Sequence, residues 1–165
     1  MSDNARIEND YFHAVYTRNI QRVYRVCYLR LGNREDAEDA AQNIFIRWYK
    51  RGTNFQTEEH EKSYFLRAAC NEAKNVLKSF WRSHRVDYED VTESILAVTD
   101  PSPIAEDILR FLEPKYREVL VLFYVEGLTA AEIAKLLSRN ENTVRTQLKT
   151  GRDRLRTILE KETNT

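Results

Sequence analysis

The chain has 165 residues, enough for one domain or two small ones. Hydrophobic residues make up 42% and charged residues 32%, with only Gly 4 and Pro 3, a composition that suits long amphipathic helices and an all-α fold. Lysine plus arginine and aspartate plus glutamate each number 26, for a net charge of +0, which argues against a uniformly basic coat for nucleic acid. No apolar run reaches the length of a membrane span, and the polar start has no signal-peptide core. A cytoplasmic protein with no membrane insertion is expected. Cys27 and Cys70 lie inside apolar helical patterns without metal or redox spacing and read as buried free thiols.

Taken in order, the first block of helices runs from roughly Glu8 to Arg82. Phe12, Val15, Tyr16, Ile20, Val23, Tyr24, Cys27, Tyr28 and Leu31 recur every three or four residues, the spacing of one helix face. Gly32 suits the left-handed position that ends a helix, and Asn33 can cap the next. That second helix opens on Glu35 and Asp36, where the helix dipole favours negative charge. Ala37, Ala40, Ala41, Ile44, Phe45 and Trp48 form its inward stripe. Arg51 to Glu61 reads as a loop. A third helix is predicted over about Lys62 to Arg82, with Phe65, Ala69, Ala73, Val76 and Phe80 inward.

From Ser83 to Pro103 no apolar stripe is sustained. Asp87, Glu89, Asp90, Glu93 and Asp100 face Arg85 alone, and Asp100-Pro101-Ser102-Pro103 disfavours helix. This acidic stretch reads as a linker, too long for a loop within one compact domain. The expected division is therefore a helical domain over 1–82, a linker over 83–103 and a second helical domain over 104–165.

In the second block, Ile108, Leu109 and Leu112 make a short apolar face before Pro114. Val119, Leu120, Phe123 and Tyr124 continue on a new helix that stops at Gly127. Thr129-Ala130-Ala131-Glu132 is a capping box. Ile133, Ala134, Leu136 and Leu137 give a short one-sided helix, Ser138-Arg139-Asn140 a turn, and Asn140 a cap for the last helix. Val144, Leu148 and Leu155 anchor that helix inward, leaving Asn142, Arg145, Thr146, Lys149 and Arg152 outward.

A short helix, a tight turn and a longer helix with cations and amides outside form a helix-turn-helix pattern. Arginine and lysine pair with guanine edges, asparagine with adenine, and the remaining cations with phosphate. Gly151, inside this helix, marks either the end of its base-reading part or a close approach to another backbone. The alternative is a three-helix bundle with a solvated charged face.

The first block carries two further faces. Glu35, Glu38, Asp39, Gln42, Ile46 and Tyr49 lie opposite the inward stripe of the second helix, acids beside exposed apolar groups, as on a protein-docking surface. On the third helix Arg67, Asn71, Lys74, Lys78 and Arg82 share one face, edged by Tyr64, Phe80 and Trp81. Cations among aromatics suit phosphate contact and stacking on unpaired bases.

The segment from Arg34 to Trp48, with Asp36-Ala37-Glu38-Asp39, Gln42, Phe45 and Trp48, resembles the core-binding helix of sigma factors. Leu112 to Leu120 and Tyr124 to Thr129 resemble the opening of sigma region 4, and Glu132-Ile133-Ala134 and Asn142 to Leu148 continue it. Trp48 comes one residue early, so Tyr49 fills the family's tryptophan slot; Asn75 stands for a usual aspartate and Ser138 for the usual turn glycine. With no counterpart of regions 1 and 3, the resemblance is to the extracytoplasmic-function class.

It implies a non-catalytic subunit that confers promoter recognition. Core polymerase would be held through Asp36, Glu38, Asp39, Gln42, Ile46 and Tyr49, with clamp and flap as docking points. The −10 element would be held by the Arg51–Glu61 loop and by Arg67, Asn71, Lys74, Asn75, Lys78, Trp81 and Arg82. The −35 duplex would be read by Arg139, Asn142, Thr143, Arg145, Thr146, Lys149 and Arg152. The linker's acids would thread towards the polymerase cleft, and an anti-sigma factor is an expected partner. No cofactor or metal is expected.

Two rival readings are a stand-alone helix-turn-helix regulator, which would bind duplex tightly by itself, and an enzyme. For the latter, His13, His60 and His84 are scattered, no glycine-rich phosphate loop occurs, and Glu58-Glu59-His60-Glu61 lacks a second histidine at ligand spacing.

Overall fold

The computed structural model of the chain describes residues 2–84, 109 and 111–164, and of residues 80–84 the backbone alone. All six elements among them are helices, so the all-α expectation holds: α1 Asp3–Leu31, α2 Arg34–Arg51, α3 Glu58–His84, α4 Pro114–Tyr124, α5 Ala130–Leu137 and α6 Glu141–Thr163. They fall into two compact units, Met1–Ser83 and His84–Thr165. Of the acidic linker expected over 83–103, residues 85–103 lie outside the described residues, as do Ile104 and Ile108.

The first unit is α1, α2 and α3. Gly32 ends α1 in the left-handed region (φ 68°), its N–H donating to Tyr28 O at 2.7 Å; only glycine takes this conformation without steric cost. Asn33 then caps α2, its side chain accepting from the Asp36 N–H at 3.1 Å. α1 starts at Asp3, five residues before the expected Glu8 and nine before the apolar stripe opens at Phe12. Nothing between Asp3 and Asp10 breaks a helix, and these two turns stand exposed. α3 likewise starts at Glu58 rather than Lys62, so the expected loop is shorter. Thr57 accepts from the His60 N–H at 3.1 Å through Oγ1, and its carbonyl accepts from the Glu61 N–H. Glu58, Glu59 and Glu61 complement the dipole in the turn that follows.

The core of this unit is aromatic. Trp48 of α2 stacks on Phe12 of α1 with centroids 5.4 Å apart and meets Phe65 of α3 edge-on at 5.6 Å. Phe45 stacks on Phe65 at 5.0 Å, and Phe55 of the α2–α3 connection lies 6.1 Å from Trp48. The indole N–H donates to Thr53 O at 2.9 Å, which satisfies the one polar atom of a buried ring. Val15, Val23, Cys27, Ala37, Leu66, Ala69 and Ala73 fill the rest. Burial raises the Cys27 thiol to about 12, with a smaller push from Glu72; its hydrogen points at Ala69 O.

One polar cluster lies within this core, and the apolar periodicity does not announce it. Glu61 is buried and receives Arg18 in bidentate fashion, Nε to Oε1 at 3.0 Å and Nη2 to Oε2 at 2.9 Å, together with the Asn19 amide at 2.6 Å. Arg22 in turn donates to Asn19 Oδ1 at 2.7 Å. Burial by itself would raise the Glu61 pKa, but the hydrogen bonds from Arg18 and Asn19 and the charges of Arg18 and Arg22 outweigh it and hold the group below its usual value.

The second unit is α4, α5 and α6. Pro114 occupies the first turn of α4, where its missing N–H costs nothing. α4 ends at Tyr124, three residues before Gly127, which takes a positive φ in the turn that follows. Leu112, Val119, Leu120, Leu122, Ile133, Val144 and Leu148 make its core. Gly151 does mark a close approach, though to side chains: a Cβ there would lie 3.1 Å from Leu120 Cδ1 and 3.3 Å from Tyr116 Cβ. The helix runs through it unbroken.

A carboxyl whose pKa is lowered on folding stabilises above its unfolded value, about 4.3, and loses that contribution as pH falls through the folded value. Glu61→Gln should therefore cost about 1–3 kcal/mol at neutral pH. In urea titrations at a series of pH values, wild type and variant should draw together as the pH falls from about 4.3 through the lowered folded value.

Candidate functional site

Three exposed surfaces carry the chemistry. The first is the outer face of α2. Its stripe Ala37, Ala40, Ala41, Ile44, Phe45 and Trp48 is buried, so the 3.6-residue period puts Glu38, Asp39, Gln42, Ile46 and Tyr49 outside, with Asp36 at the edge near the cap. Ile46 and Tyr49 are large apolar groups left 43% and 63% exposed. Phe12 supports the Tyr49 ring edge-on at 5.2 Å. Arg34 pairs with Glu38 at 2.9 Å on the same face, leaving Asp39 and Asp36 without an ion pair among the described residues. The predicted set is thus brought together on one helix.

The second surface is α3. Arg67, Asn71, Lys74, Asn75 and Lys78 are all exposed, while Phe65, Leu66, Ala69, Cys70 and Ala73 are buried behind them. Lys74 and Lys78 hold no ion pair among the described residues. Nearby, Arg47 of α2 pairs with Glu72 and ties the two helices together. The side chains of Trp81 and Arg82, also predicted here, lie outside the described residues. Tyr64 packs against Phe55 and Phe65, both within 5.2 Å, so it belongs to the aromatic core more than to the cationic face.

The third surface is the helix-turn-helix of α5 and α6. The capping box is complete: Thr129 Oγ1 accepts from the Glu132 N–H at 3.2 Å, and Glu132 Oε2 accepts from the Thr129 N–H at 2.8 Å. The turn passes through Ser138 in the left-handed region (φ 53°, ψ 45°). Asn140 caps α6, accepting from the Asn142 N–H at 2.8 Å. Asn142, Thr143, Arg145, Thr146, Lys149 and Arg152 are exposed on one side, with Val144 and Leu148 buried on the other.

The cations of this unit divide by partner. Arg139 is mostly covered, its side chain 22% exposed, and donates Nη2 to buried Glu118 at 2.8 Å and Nη1 to Gln147 at 3.1 Å. It braces the turn against α4 and α6. Arg154 pairs with Glu113 and lies over the Tyr116 ring at 4.8 Å. Arg152 donates to the Tyr124 hydroxyl at 3.2 Å, and Arg145 pairs with Glu141. Lys149 holds no ion pair among the described residues. Among those residues no group of acids, histidines or cysteines is arranged to hold a metal, and no helix is long and apolar enough to cross a membrane.

This pairing of surfaces meets two family models in chain order. Residues 15–93 match the model for sigma-70 region 2, and residues 104–155 match the model for sigma-70 region 4. The chain belongs to the sigma-70 family, as an extracytoplasmic-function sigma factor. Curated relatives of this class are similar over most of its length. The ECF RNA polymerase sigma factor SigW of Bacillus subtilis is 28% identical over 82% of this chain and 81% of that protein. The ECF RNA polymerase sigma factor SigE of Mycolicibacterium smegmatis is 31% identical over 87% of this chain, but the match spans only 59% of that longer protein. Among solved structures, the sigma factor RpoE of Bartonella quintana, crystallised with the anti-sigma factor NepR, has the same fold. Its TM-score is 0.69 at 15% identity, covering 90% of this chain and 96% of that one. The stand-alone regulator is not favoured by any of these matches.

Sequence reasoning placed the exposed faces of this sigma factor but not the ion pairs that subdivide them. Glu118 lies in an apolar helix and Arg139 in a turn; their spacing of 21 residues is invisible to any helical period. The Glu141–Arg145 pair, by contrast, has the i,i+4 spacing that could have found it.

Ser138 holds a conformation that costs an L-residue about 1 kcal/mol and costs glycine nothing sterically. Ser138→Gly should raise the stability of the second unit by up to about 1 kcal/mol, seen as a higher melting temperature.

Proposed function

We propose that this sigma factor binds core RNA polymerase through the outer face of α2, holds the −10 element on α3 and reads the −35 duplex with α6. The observation that carries the reading is the coexistence, in one chain, of an acid-and-apolar helix face and a helix-turn-helix whose outward side is cationic. Asp36, Glu38, Asp39 and Gln42 supply charge and hydrogen bonding for a basic partner, and Ile46 and Tyr49 supply apolar area, on the clamp of the polymerase. Arg67, Asn71, Lys74, Asn75 and Lys78, continued by Trp81 and Arg82, suit the phosphates and unstacked bases of a melted strand. Asn142, Thr143, Arg145, Thr146, Lys149 and Arg152 are spaced to enter a major groove near the polymerase flap. Arg139 contributes by fixing the turn that aims them.

On this reading the chain performs no chemistry of its own: it positions an enzyme. It needs no cofactor. Its place of action is the cytoplasm, with the polymerase, and an anti-sigma factor is the partner expected to restrain it, by analogy with the Bartonella relative.

Two substitutions separate the surfaces. Asp39→Lys should weaken co-purification with core polymerase about tenfold or more, by reversing one charge in a complementary field, and leave the circular dichroism melt unchanged. Arg145→Ala with Lys149→Ala should lower run-off transcription from −35-dependent promoters about 10- to 100-fold, the worth of one or two base contacts, while core binding persists. Unchanged output from that double variant would overturn the −35 assignment.

A further inference from the structure

We propose that Glu141 is a specificity-determining residue that acts through Arg145, holding its guanidinium edge-on so that one guanine of the −35 element is selected. The inference rests on α6 being the base-reading helix.

The geometry is unequal. Arg145 Nε and Nη2 both donate to the same oxygen, Glu141 Oε1, at 3.2 and 2.6 Å. That contact occupies one edge of the planar fork. The other edge, with both hydrogens of Nη1 and the second of Nη2, donates to nothing among the described residues. Two parallel donors on one edge of an arginine match the O6 and N7 acceptors of guanine in the major groove. The Asn140 cap, closed onto the Asn142 N–H at 2.8 Å, fixes the start of the helix and so places Glu141 in its first turn, one turn before Arg145.

Stability does not explain the pair. Both side chains are largely in water, 64% exposed for Arg145 and 44% for Glu141, and a surface pair of this spacing contributes little. It also sets a carboxylate on the face that meets phosphates, which lowers affinity for every sequence alike. What it gains is restraint. A free arginine can swing to phosphate or to either neighbouring base; one tethered by its Nε edge has few rotamers left to lose on binding guanine and cannot follow a wrong base. Lys149, one turn further and without such a partner, lacks this restraint.

The test uses the full chain on core polymerase and a promoter pool randomised across the −35 element, read by sequencing transcripts. Arg145→Ala identifies the base pair whose preference disappears; if no base pair loses its preference, the recognition-helix reading itself fails. At that same base pair Glu141→Ala should reduce the guanine preference about five- to tenfold, the loss of one restrained bidentate contact. Nonspecific duplex should compete about two- to threefold more strongly, because a negative charge is gone. Glu141→Asp should restore part of the preference, and the double variant should be no less selective than Arg145→Ala alone. An unchanged preference in Glu141→Ala where Arg145→Ala abolishes it, or a changed preference at a different base pair, would overturn the proposal.

Discussion

The rotation of α2 about its own axis is set by Trp48, and the chemistry of the first unit follows from it. The indole is gripped by Phe12, Phe55 and Phe65 and tied to Thr53 O through its one polar atom. An aromatic ring of this size, buried on all sides, loses several kcal/mol of packing if it turns outward. The helix can therefore present one side only. Asp39, Gln42, Ile46 and Tyr49 are outside because Ala37, Ala41, Ile44 and Trp48 are inside. Tyr49, directly after Trp48 in sequence, is turned out by the same constraint and steadied by Phe12.

The second unit solves a different problem with charge. A helix-turn-helix has a small core, and α5 is only 8 residues long. Buried Glu118 draws Arg139 inward at the turn, and Arg154 bridges α6 to Glu113 and the Tyr116 ring. At Gly151 the absence of a side chain lets α6 lie close against Leu120 and Tyr116. Cations that look equivalent along the sequence are therefore divided into those that hold the domain together and those that face outward. Arg139 and Arg154 belong to the first kind, and Lys149 to the second.

The features legible in the sequence were those with a period or a local rule. The buried stripe of α2, the Gly32-Asn33 boundary, the Thr129–Glu132 box and the outward face of α6 all follow from spacing of three or four residues or from a cap. Helix starts were less legible where the apolar stripe begins late: Asp3 to Asp10 is helical without an apolar face, and Thr57 followed by three acids signals a cap that apolar periodicity passes over. Contacts between distant residues were not legible at all. Arg18 and Asn19 reach Glu61 over 43 and 42 residues, and nothing in the local pattern of either segment distinguishes Glu61 from its solvated neighbours Glu58 and Glu59.

The two cysteines have a consequence for how the chain meets oxidants. Both are buried, and Cys27 is held as the neutral thiol, far from the thiolate that peroxides and disulfides attack. Since the sequence contains Cys 2, the folded protein offers no ready sulfur to sulfenylation or glutathionylation. Oxidation of either thiol therefore requires the first unit to open, so it reports on unfolding of that helix bundle and not on its folded state.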